Sequence, residues 1–188
     1  MANNLECEIK ALISKEDFEV LFNKYQNVGE IREQDNIYFG DKKNIFKSHK
    51  CGMRIRTRAN SKKLTLKIPQ YDGNIEINQV ISENELNAII AGNFIPEGQI
   101  KEALTSLGIR DSDLVILTTL HTTRLLVNDG NFELCLDKNT YNNKIDYEVE
   151  VEGPSLKEAK QYIENFFEKE KILFTENHLS KYVRATML

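Results

Sequence analysis

Apolar and polar residues alternate along much of this chain with the period of two that sends successive side chains to opposite faces of a strand. The pattern begins at Leu5-Glu6-Cys7-Glu8-Ile9-Lys10-Ala11, with Glu6, Glu8 and Lys10 on one face and Leu5, Cys7, Ile9 and Ala11 on the other. Residues 32–39 predict a second strand, and the lysine-rich stretch from Asp41 to Lys50 an exposed connection. Met53-Arg54-Ile55-Arg56-Thr57-Arg58 and Lys63-Leu64-Thr65-Leu66-Lys67-Ile68 then predict a basic hairpin joined by an Asn60-Ser61 turn. Arg54, Arg56 and Arg58 share one face, and Lys63, Thr65 and Lys67 stand opposite Leu64, Leu66 and Ile68. Asp72-Gly73-Asn74 turns the chain into Ile75-Glu76-Ile77-Asn78-Gln79-Val80, where Glu76 and Asn78 share a face.

Farther on, residues 113–127 are β-branched and long enough for a strand carrying Arg124, and Asp129-Gly130 turns it into Phe132-Glu133-Leu134-Cys135-Leu136-Asp137. Glu133 and Asp137 share a face there. The last strand places Asp146, Glu148, Glu150 and Glu152 on one side and Tyr147, Val149 and Val151 on the other. Helices interrupt the pattern three times. Ser14 with Asp17 caps an apolar stripe of Phe18, Leu21, Phe22 and Tyr25, and Ser82 with Glu85 opens a helical region running to about residue 110. Ser155 with Glu158 caps a helix whose apolar face is Leu156, Ala159, Ile163, Phe166 and Phe167. The count is about eight strands, and in most of them one face is charged and the other apolar. Either an open sheet packs its apolar face on the helices, or the sheet closes into a barrel with a charged lumen and helices outside.

Composition narrows what such a protein does. The 188 residues fit a single domain, and 25 basic against 29 acidic residues give a net charge of −4. That balance argues against general nucleic-acid binding and against attraction to anionic membranes. No run approaches the length of a membrane span, and Met1-Ala2-Asn3-Asn4 lacks the features of a signal peptide, so a cytoplasmic location is expected. Cys7, Cys51 and Cys135 form no metal-ligand pair and read as reduced structural thiols, while His49, His121 and His178 are scattered without a nucleophile partner.

The distribution of charge is more telling than its sum. Whole segments are of one sign: arginines at 54, 56 and 58, acids at 146, 148, 150 and 152. Like charges on neighbouring positions of a face repel, and such rows are easiest to understand when they share a ligand of mixed needs, a metal ion with a polyanion. Carboxylate oxygens suit magnesium or manganese, and guanidinium and ammonium groups suit phosphate.

Glu6-Cys7-Glu8-Ile9-Lys10 also resembles the E-x-E-x-K signature of the CYTH family, the triphosphate tunnel metalloenzymes. Arg54-Ile55-Arg56, Leu64-Thr65-Leu66-Lys67, Glu76, Arg124, Asp137-Lys138, Glu148-Val149-Glu150 and Lys181-Tyr182 are similar to that family's later elements in the same order, over nearly the whole chain. The second strand departs from the pattern, with Tyr38-Phe39-Gly40-Asp41 where an aromatic followed by Asp-Thr is usual. The resemblance implies an α+β fold built on an eight-stranded antiparallel closed barrel, one domain over residues 1–188, and a metal-dependent hydrolase of inorganic triphosphate, thiamine triphosphate or a nucleoside triphosphate. Its alternatives are a class IV adenylyl cyclase and a non-catalytic polyphosphate or nucleotide binder, and for a cyclase no residue cluster supplies adenine recognition.

The resemblance also implies roles. Glu6, Glu8, Glu148 and Glu150 would hold Mg2+ or Mn2+, with Asp137 and Glu152 as further metal candidates, and the register leaves Glu150 with Glu152 as an alternative pair. Lys10, Arg54, Arg56, Lys67, Arg124 and Lys181 would grip the triphosphate, with Arg58, Lys63, Lys138 and Arg184 in support. Glu133 is a lesser candidate. The expected mechanism is attack of water on the terminal phosphoryl group, with Lys10 or Glu76 assisting deprotonation of that water. The expected partner is a triphosphate-containing small molecule, with the protein a monomer or homodimer.

Overall fold

The computed structural model describes residues 4–59, 61–71, 73–92 and 94–186, and the side chains from Glu6 onward apart from that of Gly73. The predicted turn residues Asn60 and Asp72 and the side chain of Leu5 lie outside what is described. The strands are β1 (Asn4–Glu6), β2 (Glu8–Ile13), β3 (Glu30–Asp41), β4 (Gly52–Arg58), β5 (Ser61–Gln70), β6 (Gly73–Val80), β7 (Leu114–Asp129), β8 (Phe132–Tyr141) and β9 (Lys144–Glu152). The helices are α1 (Lys15–Tyr25), α2 (Ile45–Ser48), α3 (Glu83–Ile90), α4 (Gln99–Ser106), α5 (Leu156–Glu170) and α6 (Lys181–Thr186).

The chain forms two compact units, and β3 and β7 each contribute to both. The first unit holds Asn4, Leu5 and Asp35–Leu120, with the order β1-β6-β5-β4-β3-β7. Antiparallel ladders oppose Arg54 to Thr65, Arg56 to Lys63 and Lys67 to Glu76. One face of these strands supplies Met53, Ile55, Leu64, Leu66 and Ile77, which bury against Leu86 and Ile89 of α3 and Ile100 and Leu104 of α4. Predicted period and observed packing agree here. The capping box of α3 is formed, with Ser82 Oγ accepting from Glu85 N at 3.2 Å and Glu85 Oε2 accepting from Ser82 N at 2.7 Å.

The second unit holds Glu6–Gln34 and the described residues from His121 onward, with the order β3-β7-β8-β9-β2. Its apolar face, Ile9, Ala11, Leu125, Leu134, Leu136, Val149 and Val151, packs on Phe18 and Leu21 of α1 and on Ala159, Ile163, Phe166 and Phe167 of α5. Ser14 and Ser155 cap α1 and α5 as their sequences predict.

Two expectations need correction. The α+β class and the antiparallel pairing hold, but the sheet order ends at β1 on one side and β2 on the other, so the sheet is open and not the closed eight-stranded barrel. The first charged stretch, which reads as one strand, is divided at Cys7 into β1 and β2, and these stand at opposite ends of that order. The stretch from Asp41 to Lys50 is not simply an exposed connection. Asp41 is 7 % exposed, and its carboxylate accepts from the backbone N–H groups of Lys43, Ile45 and Phe46 at 2.8–2.9 Å, nucleating α2 and burying Phe46. The residue that departs from the family pattern thus has a local job. Cys7, Cys51 and Cys135 are buried and form no disulfide among the described residues.

Candidate functional site

Each unit turns one sheet face to its helices and leaves the other charged, and the two charged faces differ in chemistry. In the first unit Arg54, Arg56, Lys63 and Lys67 share a face with Thr65, Glu76 and Asn78. Arg54 Nη2 donates to Glu76 Oε1 at 3.3 Å, and Lys67 Nζ lies 3.6 Å from the same oxygen. Arg56 Nε donates to Asn36 Oδ1 at 3.2 Å. Burial alone raises the pKa of Glu76, but Lys67, Arg54, the amide of Asn78 and Arg56 outweigh it and hold the carboxylate below its ordinary value. Cations exceed acids on this face, the electrostatics of an anion site. Arg58 and Lys63 are exposed, Arg58 at the hairpin end opposite Ser61, so they stand farther into solvent than Arg54 and Arg56.

In the second unit the acids dominate. The ladders set Arg124 opposite Asp137, Asp137 opposite Glu148, and Glu150 opposite both Cys135 and Lys10. Asp137 and Glu148 are wholly buried, Glu150 is 9 % exposed, and one carboxylate oxygen from each lies within 4.8 Å of the others. Such charges persist at this depth only when paired. Arg124 grips Asp137 with both ends of its fork, Nε to Oδ1 at 2.7 Å and Nη2 to Oδ2 at 2.6 Å, and also bonds Glu150. Lys181, at the start of α6, brings its ammonium within 2.9 Å of oxygens from Asp137, Glu148 and Glu150. Arg184, one turn on, donates to Glu148 from Nη1 at 2.9 Å and from Nη2 at 3.1 Å, and from Nε to Asp146 at 3.0 Å.

The titration of these groups follows from the contest between burial and pairing. Burial favours the neutral acid at Glu150, but Lys181, Arg124 and Lys10 overcome it and leave the pKa well below the ordinary value. Burial likewise opposes charge on Lys181, which Asp137, Glu148 and Glu150 hold protonated, its pKa raised well above normal. Lys10 is raised too, burial being outweighed by Glu8, whose oxygen is 2.7 Å away, and by Glu150.

The remaining predicted residues fall around this cluster. Glu8 and Glu133 both oppose Glu152, forming a more exposed acidic row at the ends of β2, β8 and β9, and Glu6 closes β1 half-buried. Lys138 opposes Tyr147 and therefore lies on the face of β8 away from Asp137. Asp146, Asn36, Asn139 and Asn177 belong to these networks but are absent from the predicted set, although Asp146 stands in the row of acids. The asparagines carry no charge to mark them. Asn177 Nδ2 reaches Glu148 Oε1 at 3.1 Å from a segment without strand or helix period.

The donor set of Asp137, Glu148 and Glu150 is all carboxylate oxygen, the chemistry that suits a hard divalent cation. The same oxygens now hold Lys181, Arg124 and Arg184, so an ion bound there would share or displace these contacts. Among the described residues no helix is long and apolar enough to cross a membrane.

Over 170 residues, 90% of this chain and 88% of the relative, the sequence is 30% identical to the Bacillus subtilis (strain 168) protein named "Putative triphosphatase YjbK". A crystal structure from Bacillus halodurans, described as a "putative adenylate cyclase", is 31% identical and superposes with a TM-score of 0.90 over 98% of both chains. A Hippeastrum protein, HpAC1, shares the fold at 22% identity, with a TM-score of 0.81 over 98% of both chains. The CYTH domain family model matches residues 4–183, and the chain belongs to the CYTH family.

Proposed function

We propose that this protein hydrolyses a triphosphate-containing small molecule in the presence of Mg2+ or Mn2+. The observation that carries the reading is the separation of roles, an excess of cations on the β4–β6 face and an excess of buried carboxylates on the β8–β9 face. Arg54, Arg56 and Lys67 bind phosphate oxygens, with Arg58 and Lys63 nearer solvent, and their positive charge stabilises the diphosphate as it leaves. Asp137, Glu148 and Glu150 would hold the divalent ion, with Glu6, Glu8 and Glu152 as the alternative donors at the strand ends. Such an ion neutralises charge on phosphate oxygens.

Lys181 and Arg124 hold Glu150 ionised, and the guanidinium and ammonium groups of Lys181, Arg184 and Arg124 are the second source of phosphate donors. Lys10, protonated by its neighbours, fits a charge-stabilising role better than that of a base. Glu76, held ionised, keeps the capacity to accept a proton from water. The family model spans both compact units, and we take residues 1–188 as one functional domain.

The triphosphatase reading is supported by the name of the Bacillus subtilis relative and by the triphosphatase activity described for HpAC1. The Bacillus halodurans structure is described as a "putative adenylate cyclase" and HpAC1 as a "Putative adenylyl cyclase", which keeps cyclase activity as the second reading. Product analysis separates the two. Inorganic triphosphate, thiamine triphosphate and ATP are each incubated with the protein and Mg2+ or Mn2+, and the products resolved by chromatography. Release of orthophosphate supports the hydrolase. Cyclic AMP with pyrophosphate from ATP supports the cyclase, and tight binding without turnover makes the protein a polyphosphate binder.

A further inference from the structure

Two buried threonines on the charged faces take part in the same arrangement of side chains, one in each unit. Thr65 is 2 % exposed and directly opposes Asn78 across β5 and β6. Its hydroxyl donates to Asn78 Oδ1 at 2.8 Å, and Asn78 Nδ2 donates to Glu76 Oε2 at 3.1 Å. The other oxygen of Glu76 meets Arg54 at 3.3 Å and Lys67 at 3.6 Å. In the second unit the wholly buried Thr122 opposes the wholly buried Asn139 and donates to its Oδ1 at 2.8 Å. Asn139 Nδ2 donates to Asp146 Oδ1 at 2.9 Å, and Asp146 accepts from Arg184 Nε at 3.0 Å and Nη2 at 3.4 Å. Hydroxyl, carboxamide, carboxylate and guanidinium follow in the same order both times.

The order has a physical meaning. An asparagine amide is nearly symmetric in shape, and only its hydrogen bonds decide which end is oxygen and which is nitrogen. A buried hydroxyl must donate, and here its acceptor is the amide oxygen, so the NH2 group is aimed at the carboxylate. At Glu76 the amide takes one carboxylate oxygen, and the two cations share the other. The distances agree. Asp137, whose described contacts include no amide, grips Arg124 with both oxygens at 2.6 and 2.7 Å, whereas Glu76 meets Arg54 with Oε1 alone, at 3.3 Å.

We infer that Thr65 and Asn78 are positioning residues for polyphosphate binding: Thr65 sets the amide of Asn78, which restrains Glu76 so that it orients Arg54 and Lys67 without closing onto them. The inference rests on the proposed function of the basic row and adds the residues that set its geometry. Thr122 sets the amide of Asn139 toward Asp146 in the same way.

The test uses Thr65→Val, which keeps the shape and removes the hydroxyl, Thr65→Ser, which restores the hydroxyl, and Asn78→Ala. Two readouts are taken on the full chain: the Asn78 side-chain NH2 signals by NMR, assigned through their loss in Asn78→Ala, and calorimetric binding of inorganic triphosphate. The wild type and Thr65→Ser are expected to show a dispersed, slowly exchanging NH2 pair, which Thr65→Val collapses. Inorganic triphosphate should bind about 5- to 10-fold more weakly to Thr65→Val and Asn78→Ala, the loss of one buried hydrogen bond, and recover in Thr65→Ser.

Unchanged Asn78 signals in Thr65→Val overturn the arrangement itself. Altered signals with unchanged affinity overturn the positioning role and leave Thr65 merely structural. A wild-type protein that binds no inorganic triphosphate overturns the functional reading and with it the service assigned to these residues, while the NMR comparison still judges whether Thr65 sets the amide. Should Thr65→Val fail to fold, Asn78→Ala at its half-buried position carries the affinity comparison, and unchanged binding there overturns the role.

Discussion

Lys181 places one ammonium among three carboxylates, two of them wholly buried, and removing it leaves Asp137, Glu148 and Glu150 to repel one another in a poorly solvated place. Lys181→Met should therefore destabilise the fold by about 3–5 kcal/mol, the usual cost of orphaning buried charge, as measured by denaturant unfolding. A loss under 1 kcal/mol would mean that water or Arg124 already neutralises the cluster. Cys135 behaves oppositely. Burial pushes its thiol pKa up to about 12, despite the pull of Arg124, so a thiol reagent at pH 8 should leave it unmodified until the protein unfolds. Rapid labelling of the native protein at Cys135 would show that its strand opens.

Single residues were unevenly legible in the sequence. Arg54, Arg56, Lys67 and Glu76 share a face by parity alone, and the ladders bring them together. Lys138 follows Asp137 directly, so the same parity already separates the two, whatever their order in a motif. Asn36, Asn139 and Asn177 act through hydrogen bonds to partners distant in sequence, and nothing in their spacing announces those partners.

Strands and helices were easier to find because their signals are local. Alternation marked β2, β4, β5, β6, β8 and β9, and the Ser14, Ser82 and Ser155 caps marked three helix starts. The helix α2 was missed because its nucleus is a carboxylate that collects three backbone N–H groups, and a lysine-rich composition hides that. The register that opposes Lys10 to Glu150 was equally hidden, being set by how β2 meets a strand well over a hundred residues away.

Element contacts make their own predictions. Ser82→Ala removes the N-cap of α3 and should cost about 1 kcal/mol, read as a lowered thermal midpoint, with no change if the first turn is held by packing alone. Between α1 and α5, Glu170 accepts from Lys24 at 2.6 Å and from the Tyr25 hydroxyl at 2.7 Å. Burial alone raises the Glu170 pKa, but these two partners hold it below the ordinary value. The unfolded chain therefore binds this proton more readily, so the stabilisation is full above about pH 4.3 and is lost as pH falls through the lower folded value. Glu170→Gln should flatten that part of the wild-type acid-stability curve, and an unchanged curve would place the acid sensitivity elsewhere.

At the scale of the whole molecule, each unit buries an apolar sheet face under helices and leaves a charged face for chemistry. Fold class and apolar faces follow from the period of two, whereas closure does not, because the break at Cys7 and the open order depend on pairings between strands far apart in sequence. The basic face of the first unit has the chemistry for phosphate and the buried carboxylates of the second the chemistry for a divalent ion, and the hydrolysis we propose is tested most directly by turnover. Orthophosphate release from inorganic triphosphate by the purified protein is measured with Mg2+ or Mn2+, then with chelator, and beside Arg54→Ala. The account predicts release that stops when the ion is removed and falls by about 10-fold or more in Arg54→Ala through the lost charge-assisted contact. Release indifferent to both the ion and Arg54, or no release at all from a folded protein, would contradict it.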